Sequence, residues 1–208
     1  MSDVVAEAAA AALGGALVVL PTDTVYGIGT RPDDPSATGR VFAAKGRPRD
    51  LELPVLVASL VSAASVAVFD GRARALAERF WPGPLTIVLP RSTGSTAWDL
   101  GGDRATVGVR QPRHRLALAV LERAGPLAVT SANRSGSPPA LTCDELEATF
   151  GDLVEVYLCE EAPLVGAPST VVDLAHGAAE ILREGAVPGN DVRAALDGTA
   201  QPSAEGDG

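Results

Sequence analysis

Apolar residues between positions 16 and 182 gather into eight short runs, at 16–20, 53–58, 85–89, 106–109, 127–129, 154–158, 170–174 and 180–182. Each is too short for a buried helix and too apolar for a loop, so each reads as a buried strand. Stretches of helical period lie between many of them, at 4–13, 36–44, 60–68, 72–80, 115–124 and 143–150. Strands interleaved with helices predict an α/β or α+β fold, and strands that follow one another directly near the C-terminus require some antiparallel pairing. The expected architecture is a twisted, open sheet of mixed parallel and antiparallel strands flanked by helices. Pro21, Pro54, Pro84, Pro112 and Pro168 fall at the edges of the runs, where a missing N–H does least harm to a ladder. Residues 1–190 read as one domain, and 191–208 as a short helix or an acidic, flexible tail.

A chain of 208 residues can bury one sizeable core, and 46% apolar residues put it outside the disordered class. No run approaches the roughly 18 to 20 apolar residues of a membrane helix. The opening MSDVVAEAAAAALGG carries no basic stretch of the kind that starts a signal peptide, so a cytoplasmic location without membrane contact is expected. Cys143 and Cys159 have no cysteine or histidine beside them at metal-ligand spacing, and two free thiols, buried or partly buried, are expected.

With 26 acidic against 17 basic residues the net charge is −9, which argues against indiscriminate binding of nucleic acid through the whole surface. The cations are nevertheless segregated. Arg40, Lys45, Arg47 and Arg49 meet only Asp50 within 40–50, and Arg104, Arg110, Arg113 and Arg115 meet no acid between 104 and 121. Two such segments make an anion site if the fold brings them together.

Several stretches set short polar side chains at the ends of the expected strands. LPTDTVYGIGT, 20–30, places Thr22, Asp23, Thr24 and Tyr26 where a strand leaves the sheet and can orient a small ligand. A turn whose hydroxyls contact their own backbone is the competing reading. AAKGRPRD, 43–50, holds the single lysine of the chain. Pro48 keeps Arg47 out of the α region, so these cations are displayed from a loop. Arginine offers a planar fork for two phosphate oxygens and lysine a compact point charge, a combination that suits a polyphosphate. In AVTSANRSG, 128–136, the short side chains of Ser131 and Asn133 let backbone amides approach a ligand and can themselves donate to a phosphate or a sugar edge. APSTVVDL, 167–174, sets Ser169 at a strand entry, and ILREGAV, 181–187, sets Arg183 between a strand and Gly185. There is no G-x-G-x-x-G, no Walker loop and no G-x-S-x-G elbow, and His114 and His176 lie in unremarkable contexts.

In order along the chain, PTDTVYGIG, KGRPRD, FWPGPLTIVL, TVGVRQP, TSANRSG, PSTVVD and ILREGAV closely resemble the motifs of the YrdC-like threonylcarbamoyl-AMP synthases, over about 15–187. The resemblance implies the short, single-domain form of that family, a sheet with a large, concave, basic cavity. It implies ATP, L-threonine and bicarbonate or CO2 as substrates, with threonylcarbamoyl-AMP and pyrophosphate as products. The family's K-x-R and S-x-N signatures fall on Lys45 and Arg47 and on Ser131 and Asn133, the four implied catalytic positions. Lys45, Arg49, Thr106, Ser131, Ser169 and Arg183 are implied around ATP, and Thr22, Tyr26 and Arg110 around threonine. Mg²⁺ is expected on the phosphates, with no protein side chain as ligand. The implied partners are a downstream complex that passes threonylcarbamoyl to adenosine 37 of tRNA, and tRNA itself. One departure stands out: Glu52-Leu53 occupies the place where many members have Pro-Leu.

The implied chemistry matches these residue types. Threonine's amine takes up CO2 to form a carbamate, whose oxygen attacks the α-phosphorus of ATP and expels pyrophosphate. Such a transfer needs positioning and neutralisation of migrating charge. Lys45 and its neighbouring arginines are expected to neutralise the phosphates, Arg110 to pair with the threonine carboxylate, and Thr22 to read the substrate hydroxyl. Two rivals share the fold: an RNA-binding module without catalysis, and a paralogue that builds a related carbamoyl-adenylate for another acceptor.

Overall fold

The helices begin where the sequence supplies caps. In the computed structural model, which describes residues 2–164 and 166–198, Asp34 accepts the Ser36 N–H at 2.8 Å and Pro35 fills the first turn of α2 (Pro35–Lys45). Gly46, left-handed at φ 59°, closes that helix and turns the chain toward the basic motif. Ser59 caps α3 (Leu60–Val66), Asp70 caps α4 (Gly71–Phe80), and Thr142 with Glu145 forms a capping box on α6 (Cys143–Phe150). The other helices among the described residues are α1 (Ser2–Leu13), α5 (Arg115–Ala124), α7 (Gly189–Asp197) and a 3₁₀ turn at Gly151–Leu153.

The strands are β1 (Val18–Leu20), β2 (Gly27–Thr30), β3 (Val55–Leu56), β4 (Leu85–Pro90), β5 (Thr106–Arg110), β6 (Leu127–Ser131), β7 (Val156–Tyr157), β8 (Thr170–Asp173) and β9 (Glu180–Arg183). They form one sheet in the order β7-β1-β2-β6-β3-β5-β4-β8-β9. β1 lies parallel to β7, β3 to β5 and β4 to β8, and the remaining neighbours are antiparallel. This is the mixed sheet expected, with the late strands β8 and β9 paired antiparallel.

Strand β2 was not among the apolar runs. Its sequence, Gly-Ile-Gly-Thr, is poor in strand-favouring side chains, and its glycines answer a packing demand instead. A Cβ on Gly29 would lie 2.4 Å from the Ala128 carbonyl oxygen, and one on Gly27 2.5 Å from Val129 Cγ1.

Alternation along the strands divides the interior in two. Val19, Ile28, Val55, Val109, Ala128 and Val172 face α2, α3, α4, α6 and α7 in the larger core. Val18, Leu20, Leu56, Leu127 and Val129 point the other way, under α1 and α5. Those two helices pack only on the β7-to-β3 half of that face. On β5, β4 and β8 the residues of the same face, among them Thr106, Gly108, Arg110, Thr86, Val88 and Asp173, floor a cavity instead.

The core continues past residue 190: Val192 of α7 is buried in it, and Ala195 and Leu196 pack against it. The rest of the expected tail, 199–208, lies outside the described residues. No helix among the described residues is long and apolar enough to cross a membrane.

The free-thiol expectation is overturned. Cys143 at the start of α6 and Cys159 just after β7 form a disulfide, with their Cα atoms 5.8 Å apart. Helix α6 returns through the 3₁₀ turn into β7, which brings the helix start beside the strand end. Spacing along the chain gives no sign of that return.

Candidate active site

The uncovered half of the sheet floors a cavity of about 640 Å³, within the usual range for small-molecule sites. The loop after β1, the stretch before β3, the end of β6 and the facing ends of β8 and β9 wall it.

One end is enclosed. Arg110, at the last position of β5 and 6% exposed, donates from Nη1 to Thr24 Oγ1 at 2.9 Å, from Nη2 to Asp23 Oδ1 at 2.5 Å and from Nε to the Gly83 carbonyl at 3.0 Å. Burial pulls its pKa below the ordinary arginine value, and the Asp23 carboxylate opposes that pull. Thr22 holds the turn: its Oγ1 donates to the Val25 carbonyl at 2.6 Å and accepts the Thr24 and Val25 N–H groups at 3.2 Å. The competing turn reading therefore describes Thr22, while Thr24 supplies the hydroxyl beside Arg110. Both line the cavity. Tyr26 also lines it, and its hydroxyl accepts the Glu160 N–H at 3.0 Å, tying this loop to the segment after β7.

The side reached across the sheet through Thr86 and Val171, where Arg183 is exposed, is the open one. Arg183 donates from Nε and Nη2 to the Ser169 carbonyl at 3.1 and 2.9 Å and from Nη2 to Ser169 Oγ at 3.1 Å, and Ser169 Oγ meets Thr86 Oγ1 at 2.9 Å. Thr106, Asp173 and His176 also line the cavity. His176 Nδ1 lies 2.7 Å from Asp173 Oδ2, and that hydrogen bond raises the His176 pKa above the usual histidine value. Glu52 stands on the rim, with Oε1 accepting from Arg91 Nη2 at 2.5 Å. The Arg91 side chain is 1% exposed and also reaches the Thr106 and Trp98 carbonyls at 2.7 and 2.8 Å. Burial pushes the Glu52 carboxyl up to about 7, with Arg91 opposing the rise.

Of the residues singled out in the sequence, Thr22, Tyr26, Arg47, Thr106, Arg110, Ser131, Ser169 and Arg183 line this one cavity. Arg47 shapes its rim by donating to the Leu51 and Glu52 carbonyls at 3.0 and 2.9 Å. Lys45, Arg49 and Asn133 do not appear in the wall. Arg49 pairs with Asp99 at 2.5 Å and stacks over Phe42 at 4.7 Å. Lys45 is 2% exposed and donates to the Ser131 and Asn133 carbonyls and to Asn133 Oδ1.

Thr24 was among the strand-end hydroxyls that sequence reasoning singled out, whereas Glu52, Thr86, Asp173 and His176 are wall residues it gave no role. An aspartate closing a strand with a histidine three positions later was the available signal for the last pair. The two basic segments do meet, yet in the wall Arg47, Arg110 and Arg183 face Asp50, Glu52 and Asp173. Among the described residues, no three His, Cys, Asp or Glu side chains gather as a metal site. Chemically, the buried arginine can pair with a small carboxylate, and the exposed cation Arg183 can meet a larger anion. No side chain there is paired with a base as a nucleophile would be.

The Sua5/yciO/yrdC family model, described as "Telomere recombination", matches residues 10–185. A Mycobacterium leprae protein provisionally named threonylcarbamoyl-AMP synthase is 44% identical over 88% of this chain and 83% of its own. The threonylcarbamoyl-AMP synthase of Pyrococcus abyssi is 40% identical over 84% of this chain and 52% of its own. The crystal structure of P. abyssi Sua5 complexed with L-threonine superposes with a TM-score of 0.86 at 34% identity, covering 94% of this chain and 58% of that one. The chain thus spans little more than half the length of both Pyrococcus proteins.

Proposed function

The chain belongs to the Sua5/YciO/YrdC family, and on that premise we propose that it is an L-threonylcarbamoyladenylate synthase, converting L-threonine, bicarbonate or CO2 and ATP into threonylcarbamoyl-AMP and pyrophosphate. The observation that carries this reading is the buried Arg110 fork beside Thr24 Oγ1, at the closed end of a cavity that opens onto Arg183. Arg110 binds the threonine carboxylate, and Thr24, with Thr22 behind it, receives the substrate hydroxyl. Selection for threonine then rests on the acceptor capacity that Thr24 Oγ1 keeps beyond its contacts with Arg110 Nη1 and Thr22 Oγ1, both at 2.9 Å. The threonine amine then points toward the open end, where the triphosphate lies along Arg47, Ser131, Ser169 and Arg183.

The carbamate oxygen attacks the α-phosphorus and pyrophosphate leaves, so the protein's work is alignment and charge stabilisation. A Mg²⁺ carried by ATP would be held chiefly by phosphate oxygens, since magnesium keeps few protein ligands in such sites. Bound there, the ion would neutralise the departing pyrophosphate. The labile adenylate suits a partner that passes threonylcarbamoyl to adenosine 37 of tRNA.

The test is to incubate the protein with ATP, L-threonine and bicarbonate, follow pyrophosphate, and identify the nucleotide product by chromatography and mass. Threonylcarbamoyl-AMP, formed faster than the serine analogue, is the expected outcome. Pyrophosphate release indifferent to threonine, or activity only with carbamoyl phosphate, would sink the reading in favour of a paralogous substrate. Salt-sensitive RNA retention without ATP consumption would favour the binding module.

A further inference from the structure

The single lysine sits behind the cavity wall. An ammonium has three N–H groups and no acceptor, and here all three have partners: the Ser131 carbonyl, the Asn133 carbonyl at 2.5 Å and Asn133 Oδ1 at 3.2 Å. The loop returns the contact. The Ser135 N–H donates to the Lys45 carbonyl at 2.8 Å and Arg134 Nη1 to the Ala44 carbonyl at 2.6 Å, satisfying carbonyls that the end of α2 leaves unpaired. The helix end and the 131–135 loop therefore hold each other from both sides.

We propose that Lys45 is a positioning residue for Ser131, fixing the 131–133 loop against the end of α2 without touching the nucleotide itself. The path is short: Asn133 Oδ1, held by Lys45, also accepts the Ser131 hydroxyl at 2.6 Å. Ser131 alone of these three residues lines the cavity. What Ser131 does there rests on the proposed function above, but the clamp stands on the geometry alone.

The same geometry says why arginine does not serve. The acceptors converge on a single point inside a site that leaves the residue 2% exposed. A guanidinium spreads five N–H groups over a plane, so several would be buried unpaired, each at a cost of roughly 1–3 kcal/mol. Burial, with the Arg47 cation adding to it, lowers the Lys45 pKa to about 8. Arg134 also faces this end of the helix, Arg49 stacks over Phe42 in its last turn, and no carboxylate is among the bonded partners of the Lys45 ammonium.

The experiment has two arms. Lys45→Met and Lys45→Arg are compared with the parent by hydrogen exchange without nucleotide. Both are expected to speed exchange of the 131–137 amides roughly tenfold or more while β4 and β8 stay protected. Because the chain has one lysine, isotope labelling of that amino acid gives a single side-chain signal, whose titration is followed in the wild-type protein with and without α,β-methylene-ATP. A positioning lysine keeps its midpoint on saturation, whereas one against phosphate rises by about 1 pH unit or more. Unchanged exchange in both variants, or that rise, overturns the proposal. If the variants fail to fold, the labelled wild-type protein decides it. Failure of the analogue to bind counts against the functional reading, and the exchange arm then decides the clamp.

Discussion

At the enclosed end of the cavity Arg110 has its three donor nitrogens committed to protein oxygens and is 6% exposed, while at the open end Arg183 is exposed and His176 stands at the mouth. The contrast is one of preorganisation. A fork fixed by Gly83, Thr24 and Asp23 cannot rearrange to suit a ligand, so it selects by geometry and by what it would leave unpaired. An exposed cation selects more by charge, and its contribution is screened by salt. The division suits a small substrate read closely and a large, highly charged one gripped loosely.

Removing the fixed fork is the strongest way to break this contrast. Arg110→Met is expected to lower kcat/KM for threonine by roughly 100- to 1,000-fold, the loss of a charge-assisted pair in a desolvated site. It leaves the partly buried Asp23 carboxylate without its ion partner, though still accepting the Arg113 N–H, which costs up to about 3 kcal/mol of stability. Adding Asp23→Asn should recover much of the melting temperature and none of the threonine dependence. Steady-state kinetics beside thermal unfolding checks both halves, and a single variant with near-normal KM for threonine would refute the assignment of the closed end.

Arg183→Ala probes the other end and should act more weakly. An increase of roughly tenfold in KM for ATP is expected, with KM for threonine nearly unchanged, as befits an exposed charge-assisted contact. The difference between variant and parent should shrink as salt is raised from 50 to about 500 mM, since the Debye length falls. An equal loss for both substrates would mean that Arg183 supports the fold of β8 and β9 more than it binds a ligand.

Much of this plan could be read from residue order. Alternating apolar runs give the sheet, helical periods at 115–124 and 143–150 match α5 and α6, and strand-end hydroxyls and arginines point to one polar cavity. What escaped depends on neighbours that are remote in sequence. Strand β2 is built of glycines because β6 presses on it, a constraint carried by residues 128–129. Cys143 and Cys159 meet because a helix doubles back. The charge of Lys45 is visible in the sequence, whereas the carbonyls it donates to belong to a loop 86 residues away and are not. Glu52 in place of the usual proline made sense only beside the buried Arg91, 39 positions on.

The smallest expected effect sharpens the electrostatic half of the contrast. Asp173 raises the pKa of His176 above the usual histidine value, so the imidazolium persists to higher pH than that of an isolated histidine and is lost as the pH climbs through the raised value. A protonated His176 adds positive charge at the mouth where the triphosphate enters, so affinity for ATP should fall as that proton leaves. Because the side chain is 62% exposed, screening limits the change to about twofold in KM between pH 6 and 8.5. The Asp103 charge also favours the proton, and removing either carboxylate should move the midpoint down. His176→Gln keeps the hydrogen-bonding shape and removes the titration, so the ratio of its KM to that of the parent should approach one at high pH and exceed it at low pH. A ratio independent of pH would mean that the open end grips ATP through Arg183 and the hydroxyls alone.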